Sequence, residues 1–224
     1  MMSYTLHRAR RRPNLLGEPD GEGWGEAEVV QLTNFYALPG VSDHRPRTEA
    51  RALYDDEHFY LQFCVDDRWV RSVQDQPQAM VCQDSCVEFF FSPRPGSRYL
   101  NLEMNAGGWA LFQDGEFQGD REGFTCQPVA ASLMESLMIE STLPPRVEPE
   151  LTEPTTWRLG VSIPWAALRA QVADLPVGPG VTWRGNFYKC GDLTSHPHWA
   201  SWSPVRIEPT SFHHPPSFGE LRFA

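Results

Sequence analysis

The sequence predicts an all-β protein, a single β-sandwich with one or two short helices. Short segments that alternate apolar and polar side chains recur along the 224 residues, as in strands that bury one face. The 20 prolines and 17 glycines favour many turns and few long helices. The length suits one large domain. We therefore expect two antiparallel sheets, arranged like a jelly roll, that pack their apolar faces together.

The N-terminal region differs in composition from the rest of the chain. Arg8 and Arg10–Arg12 form a basic cluster that is followed by PNLLGEPDGEG, not by the apolar stretch of a secretory signal. We predict a solvated tail over residues 1–20 and the sandwich over residues 21–224. The expected location is therefore cytoplasmic, or secreted or periplasmic if the N-terminus were truncated.

Two predicted hairpins define the centre of the sandwich. The first, EARALYDDEHFYLQFCVDD (residues 49–67), turns at DDEH and places Phe59, Leu61, Phe63 and Val65 on one face. The second joins SCVEFFFSP (85–93) to RYLNLEMNAGG (98–108) through a short turn.

The register of the second hairpin follows from keeping its apolar residues on one face. That register pairs Phe91 with Leu100, Phe89 with Leu102 and Val87 with Met104. The other face then pairs Glu88 with Glu103, Phe90 with Asn101 and Cys86 with Asn105. Side chains directly opposite each other lie about 5 Å apart at Cβ, so two glutamates there need a compensating cation or hydrogen-bond donor.

The remaining elements follow in order. GWALFQDG, TWRLGVSI (156–163) and VTWRGNFYK (181–189) each alternate like strands, and Trp157 and Trp183 fall on the predicted core side. PWAALRAQV predicts a helix because Pro164 suits a first helical position. The proline-rich and acidic residues 144–155 predict a surface loop.

Polar side chains on these strands predict a binding face. The candidate residues are Glu88, Asn101, Glu103, Asn105, Arg184, Asn186, Tyr188 and Lys189. Carboxylates and amides suit many neutral hydroxyl groups, as in a sugar, and Lys189 or Arg184 could offset the two glutamates. The alternative is a solvated outer face of the sandwich with no ligand.

Two aromatic residues near the C-terminus could complete such a site. Trp199 and Trp202 lie in the segment HPHWASW, which is predicted to be a loop. An exposed indole ring offers a flat apolar surface on which the C–H face of a sugar packs. The alternative for each tryptophan is a place in the core.

Metal binding has weaker support in the sequence. The five cysteines are unevenly spaced and Cys82-x₃-Cys86 lacks a second matched pair, so neither a disulfide framework nor a zinc site is predicted. His196 and His198 are compatible with a metal, whereas His213 and His214 are expected to be structural. Acidic residues predicted in loops could hold calcium. These residues are Asp55, Asp56, Glu57, Asp66 and Asp67.

Two enzymatic alternatives remain open at this stage. Glu88 and Glu103 satisfy the carboxylate separation that a glycosidase needs, if the predicted register holds. Cys190 with His196 or His198 could form a thiol nucleophile and its base. Neither a serine-hydrolase elbow nor a phosphate-binding loop is present in the sequence.

The overall charge limits the class of partner. A net charge of −10 argues against a nucleic-acid partner, since phosphate binding needs a basic surface. The sequence contains no apolar stretch long enough for a membrane helix. The expected partner is a mono- or oligosaccharide, and the oligomeric state stays open.

Several of these motifs, taken in order, resemble the family 9 carbohydrate-binding modules from about Trp24 to Phe223. The motifs are ALYDDEHFYLQFCVDD, QDSCVEFFFSP, YLNLEMNAGGWALF, WRLGVSIPWAAL, WRGNFYKCGD and HWASWSPV with FHHPPSFGELRF. The resemblance implies a β-sandwich that binds sugars without cleaving them, in support of carbohydrate catabolism, with structural calcium in some members.

The resemblance also assigns residues. It implies that Glu88 is the acidic residue of the binding strand, and that Asn186 and the Trp199/Trp202 segment supply the later contacts. At the place of the family's first clamping tryptophan the sequence has AMVCQDSC, without an aromatic residue, and Trp69 lies well upstream. A related sandwich family binds haem b through Met with His or Lys, so haem at Met80 or Met104 is an alternative.

Overall fold

The computed structural model describes residues 2–119 and 123–224, which are mainly β-strand. The strands are β1 (Ser3–Arg8), β2 (Val30–Gln31), β3 (Asn34–Phe35), β4 (Arg47–Tyr54), β5 (His58–Asp67), β6 (Val70–Ser72), β7 (Cys86–Ser92), β8 (Arg98–Asn105), β9 (Ala110–Phe117), β10 (Phe124–Pro128), β11 (Met138–Ser141), β12 (Val147–Leu151), β13 (Thr155–Pro164), β14 (Thr182–Cys190), β15 (Trp199–Ser201) and β16 (Gly219–Phe223). The α-helices are α1 (Ala131–Ser136) and α2 (Trp165–Gln171).

The strands form two layers, as the sequence predicts. The first layer has the order β10-β9-β8-β7-β14-β16, and the second has the order β4-β5-β13-β11. β1 joins them, since its first half pairs with β16 and its last two residues pair with β4. β15 extends the first layer beside β14, and β6 pairs with β12 in a separate small sheet.

The N-terminal segment does not form the predicted tail. Ser3–Arg8 is a strand at the junction of the two layers, with Tyr4 and Leu6 buried. The Tyr4 hydroxyl also accepts a hydrogen bond from the backbone N–H of Ala52, 2.8 Å away. Two apolar residues directly before an arginine cluster are too short a pattern to predict a strand, and the pairing with β16 supplies what the local sequence lacks.

The two predicted hairpins are confirmed. β4 and β5 pair through a turn at residues 55–57, and β7 and β8 pair in the predicted register, with Glu88 opposite Glu103. The helix predicted after residue 163 is α2, which begins at Trp165 with Pro164 as its cap. Alternation and turn length together determined these elements.

The core lies between the two layers. Phe59 of β5 stacks on Phe89 of β7, with ring centroids 5.5 Å apart. Trp157 and Trp183 are fully buried, as predicted. Burial of such large apolar side chains is the main stabilising contribution to a fold of this kind.

One surface segment differs from the prediction. Within the proline-rich residues 144–155, Val147–Leu151 forms β12, which pairs with β6 only at Val147 and Leu151. A short strand at the edge of a sheet tolerates proline, because the missing N–H there leaves no carbonyl of a neighbouring strand without a hydrogen-bond donor. Neither α-helix in the described part of the chain is long enough to cross a membrane.

Candidate functional site

A cavity of about 290 Å³ opens on the face of the first layer that is turned away from the core. Its floor comes from the neighbouring strands β9, β8, β7 and β14. The lining residues are Met80, Cys82, Glu88, Glu103, Leu111, Gln113, Phe124, Cys126, Cys190, Asp192, Trp199, Ser211, Phe212 and His213. A larger cavity, about 520 Å³, lies between the β7–β8 turn and the end of α2, but it contains none of the predicted site residues.

Glu88 and Glu103 form the centre of the floor. Glu88 accepts a hydrogen bond from the Cys190 thiol (3.0 Å), and Glu103 Oε1 accepts one from the Asn101 amide (2.9 Å). The second oxygen of Glu103 is buried and has no hydrogen-bond partner. Burial raises the pKa of Glu103 to about 7. Burial and repulsion by Glu103 raise the pKa of Glu88 well above its ordinary value.

Asp192 and Trp199 form one wall. The Trp199 indole N–H donates to Asp192 at 2.7 Å, and the Trp199 ring lies 4.8 Å from that of Phe212. Burial raises the pKa of Asp192. Sequence reasoning overlooked Asp192, which lies in the turn directly after β14, beyond the reach of strand alternation. This wall therefore combines an indole face with a fixed acceptor.

Phe124 and His213 form a second aromatic wall, which sequence reasoning also missed. Their rings are stacked, with centroids 4.2 Å apart and an interplanar angle of 3°. His213 Nδ1 lies 2.7 Å from the Tyr99 hydroxyl. Burial lowers the pKa of His213 to about 4, so the imidazole is neutral at physiological pH. The alternation of Phe124 and Cys126 was the available sequence signal.

Four of the predicted residues support the floor or the loops around it. Asn186 donates to the Ser203 carbonyl, and the Tyr188 hydroxyl donates to the Phe212 carbonyl. The side chains of Arg184 and Asn105 also donate hydrogen bonds to backbone carbonyls. Arg184 donates to the carbonyls of residues 218 and 219, and Asn105 donates to that of residue 74. These side chains hold the segments that frame the cavity and do not line it.

Lys189 lies on the opposite face from the one predicted. Its ammonium group is fully buried, 3.4 Å from Asp67 and 2.6 Å from His198 Nε2. Strand alternation explains this, because residue 189 shares a face with Phe187 of the core and not with Tyr188. Within residues 2–119 and 123–224, no lysine or arginine lines the cavity.

Trp202 is also absent from the cavity. It is buried in the core, with its ring 5.8 Å from that of Phe187 and 6.5 Å from that of Tyr4. In an extended chain, residues an odd number apart point to opposite faces, so Trp199 and Trp202 cannot both face the site. The predicted pair of tryptophans is therefore one wall residue and one core residue.

The metal and haem candidates are divided between separate places. His198 lies with His44 and Asp67, and potential ligand atoms of these three residues are all within 4.8 Å of one another. His196 stacks on Trp69, with centroids 3.4 Å apart, on the Lys189 side of the sheet. His214 contacts Ser217, and only His213 reaches the cavity. Met104 is buried in the core, and Met80 is half exposed at the cavity rim.

Four of the five acidic residues proposed for calcium, all except the exposed Glu57, pair with protein donors instead. Asp55 accepts from two backbone N–H groups and from Tyr60. Asp66 and Asp67 belong to β5, not to a loop. Although burial opposes it, the charge of Lys189 and a hydrogen bond from His44 hold the pKa of Asp67 well below its ordinary value. Because calcium prefers six or more oxygen ligands, these surroundings do not fit it.

Cys190 is not arranged as a nucleophile. Cys190 lies beside Cys86 and Glu88, and burial raises the pKa of its thiol well above the ordinary value. His198 is on the other face of β14, where burial lowers its pKa to about 3. A thiol held in its protonated form without an adjacent base is a poor nucleophile, so the predicted Cys190–His198 pair does not form.

Comparison with known proteins adds an independent observation. The model of carbohydrate-binding family 9 matches residues 28–223. The fold is similar to that of a candidate carbohydrate-binding protein from Bacteroides uniformis ATCC 8492, with 28% identity, 99% coverage of both chains and a TM-score of 0.83. A search of the curated proteins found no match.

Two further solved structures share the fold at lower identity. A family 9 carbohydrate-binding module from Caldicellulosiruptor kristjanssonii, in complex with glucose, is 14% identical, with coverage of 98% and 95% and a TM-score of 0.63. The same organism's module in complex with cellotriose is 14% identical, with coverage of 99% and 93% and a TM-score of 0.62.

Proposed function

Because the chain belongs to carbohydrate-binding family 9, we propose that it binds a mono- or oligosaccharide in the cavity lined by Glu88, Glu103 and Trp199. The solved modules of this fold were captured with glucose and with cellotriose, which supports a saccharide ligand. The composition of the cavity itself supports the proposal. One cavity combines a partly exposed indole ring with several carboxyl groups on a rigid sheet.

The polar groups suit hydroxyl ligands. Glu88, Glu103 and Asp192 offer acceptors, and the two glutamates also offer donors when protonated, as their raised pKa values favour. Gln113 adds an amide at the edge of the floor. Groups that both donate and accept match the hydroxyls of a sugar ring, which do the same.

The aromatic groups suit the C–H faces of the ring. Trp199 is fixed by its hydrogen bond to Asp192 and by Phe212, so little conformational entropy is lost when a ligand packs on it. Phe124, stacked on His213, offers a second apolar surface although the sequence has no aromatic residue at AMVCQDSC. Binding would therefore use Trp199 and Phe124.

Isothermal titration calorimetry with glucose, cellotriose and a panel of common monosaccharides tests this proposal. We expect heat of binding with at least one saccharide and a loss of about fivefold in affinity for Trp199→Ala, as a stacking contact is worth about 1 kcal/mol. Trp69→Ala is the matched control, because that ring stacks on His196 outside the cavity. Absence of heat with every saccharide would refute the proposal.

Glycoside hydrolysis is the second candidate, because Glu88 and Glu103 are directly opposed in one cavity. A glycosidase needs one carboxylic acid and one carboxylate. Both carboxyls here have raised pKa values and neither has a basic partner in the cavity, which favours binding over catalysis. Release of nitrophenol from aryl glycosides, abolished in Glu88→Gln, would establish hydrolysis instead.

A further inference from the structure

The cavity brings three carboxyl groups together. Glu88, Glu103 and Asp192 converge on it. His213, the one imidazole among the described lining residues, is neutral because burial lowers its pKa. In the described residues no lysine or arginine side chain reaches it. The described residues therefore supply acidic groups to this cavity and no cation to balance them.

Two basic residues of β14, Lys189 and Arg184, do not offset the carboxyl groups of the cavity. Lys189 is adjacent to Cys190, yet its ammonium group points into the core and pairs with Asp67. Arg184 is used by the backbone carbonyls of residues 218 and 219. Neither can turn toward the cavity without breaking buried contacts, so neither neutralises the glutamates.

Glu103 carries a second, independent sign of a missing partner. The residue is 5% exposed and lines the cavity, but its Oε2 atom has no hydrogen-bond donor. Buried carboxylate oxygens in proteins are normally satisfied, because leaving one without a donor is costly. A ligand that brings a donor to this atom would remove that cost.

We propose that the cavity selects a cationic saccharide, an amino sugar whose ammonium group lies against Glu103 and its neighbour Glu88. An ammonium group supplies three donors and a positive charge. It therefore satisfies the unpartnered oxygen and favours the ionised form of Glu103, whose raised pKa of about 7 otherwise lets it keep its proton up to neutral pH. This proposal rests on the proposed saccharide function and specifies its ligand class. A uronic acid brings a carboxylate instead of an ammonium group, so it supplies neither the donor nor the positive charge and should bind more weakly.

The expected size of the preference follows from the hydrogen bonds involved. A hydrogen bond to a charged group is about twice as strong as a neutral one, and the difference corresponds to roughly tenfold in affinity. An ammonium group in place of a hydroxyl should therefore bind about tenfold more tightly at the same ring position. Glucuronate should bind more weakly than glucose.

Matched pairs of sugars test the inference near neutral pH. Calorimetry would compare glucosamine, galactosamine and mannosamine with glucose, galactose and mannose, all in the presence of EDTA. At least one amino sugar should bind about tenfold more tightly than its neutral partner. If neutral sugars bind and no amino sugar binds more tightly, the inference fails while the saccharide function stands. If nothing binds, the saccharide function itself fails.

A variant that removes the carboxyl group of Glu103 tests whether the floor of the cavity causes the preference for amino sugars. Glu103→Gln keeps the shape and the acceptor for Asn101, so it should still bind neutral sugars while the ratio of amino-sugar to neutral-sugar affinity falls severalfold. Glu153→Gln is the matched control, because Glu153 is exposed and does not line the cavity. An unchanged ratio in Glu103→Gln, or a preference that appears only when EDTA is replaced by Ca²⁺ or Zn²⁺, would overturn the inference.

Discussion

The acidic floor of the cavity makes a quantitative prediction about stability. Glu103 has a pKa of about 7 against an ordinary value of 4.5, because it is buried. Between these two values the native state keeps a proton that the unfolded chain has lost, so the contribution of Glu103 to stability falls as the pH rises. A shift of about 2.5 pKa units corresponds to about 3 kcal/mol lost by neutral pH. The Glu103→Gln variant has no ionisable group at this position, so it does not lose this stability as the pH rises.

Other buried groups act in the opposite direction over part of the same range. Burial lowers the pKa of His198 to about 3 and that of His213 to about 4, so their contributions to stability rise with pH until the ordinary value of 6.5. The pH profile of the wild-type protein alone therefore cannot isolate Glu103. The difference between Glu103→Gln and wild type isolates the pair of Glu103 and Glu88, because both proteins keep the histidines and Glu103 raises the pKa of Glu88.

Urea unfolding of the two proteins at several pH values measures this difference. Glu103→Gln should be about as stable as wild type near pH 4.5 and about 3 kcal/mol more stable above pH 7. Glu153→Gln, which changes an exposed carboxyl, should show no such trend. A difference that stays constant with pH, or a Glu103→Gln protein that becomes less stable than wild type as the pH rises, would refute the burial of an uncompensated carboxyl.

Three further predictions test the placement of individual side chains. Trp202→Ala should lower the free energy of unfolding by about 3–5 kcal/mol in urea titrations, since it empties part of the core, whereas Trp199→Ala should affect stability much less. Lys189→Met should cost about 3–5 kcal/mol in the same assay at neutral pH, because it leaves Asp67 buried without its cation, but it should not change saccharide affinity. Gly219→Ala places a Cβ 2.5 Å from the Trp202 ring and should cost about 1–3 kcal/mol, visible as a lower Tm.

A specific result would contradict each of these three predictions. Equal destabilisation by Trp199→Ala and Trp202→Ala would contradict the assignment of one to the wall and the other to the core. A Lys189→Met protein with native stability and no saccharide binding would place that lysine at the ligand after all. An unchanged Tm for Gly219→Ala would show that the strand β16 can move away from Trp202.

The sequence alone was sufficient to predict the strands and turns whose structure depends on residues close together in the chain. Alternation fixed the faces of β5, β7 and β8, and a short turn left one register for β7 and β8 that kept all apolar residues together. That register placed Glu88 opposite Glu103, which is the centre of the cavity. The location of the floor was therefore predictable from one chain.

The walls and the buried ion pair were not predictable in the same way. Phe124 and His213 meet because β10 pairs with β9 and a distant loop folds over the sheet, and neither contact has a local signal. Lys189 shares its alternation with Phe187, but its charge argued against a core position. Asp67, more than a hundred residues away in the second layer, makes that position favourable, together with His198 and the Cys190 carbonyl.

Nuclear magnetic resonance of the indole N–H groups tests the central claim most directly. In a titration of the ¹⁵N-labelled protein with a saccharide that gives heat in calorimetry, the Trp199 signal should shift progressively and saturate. The signals of the buried Trp157, Trp165 and Trp183 should stay in place. Saturable binding that leaves the Trp199 signal unmoved would contradict the placement of the ligand in this cavity.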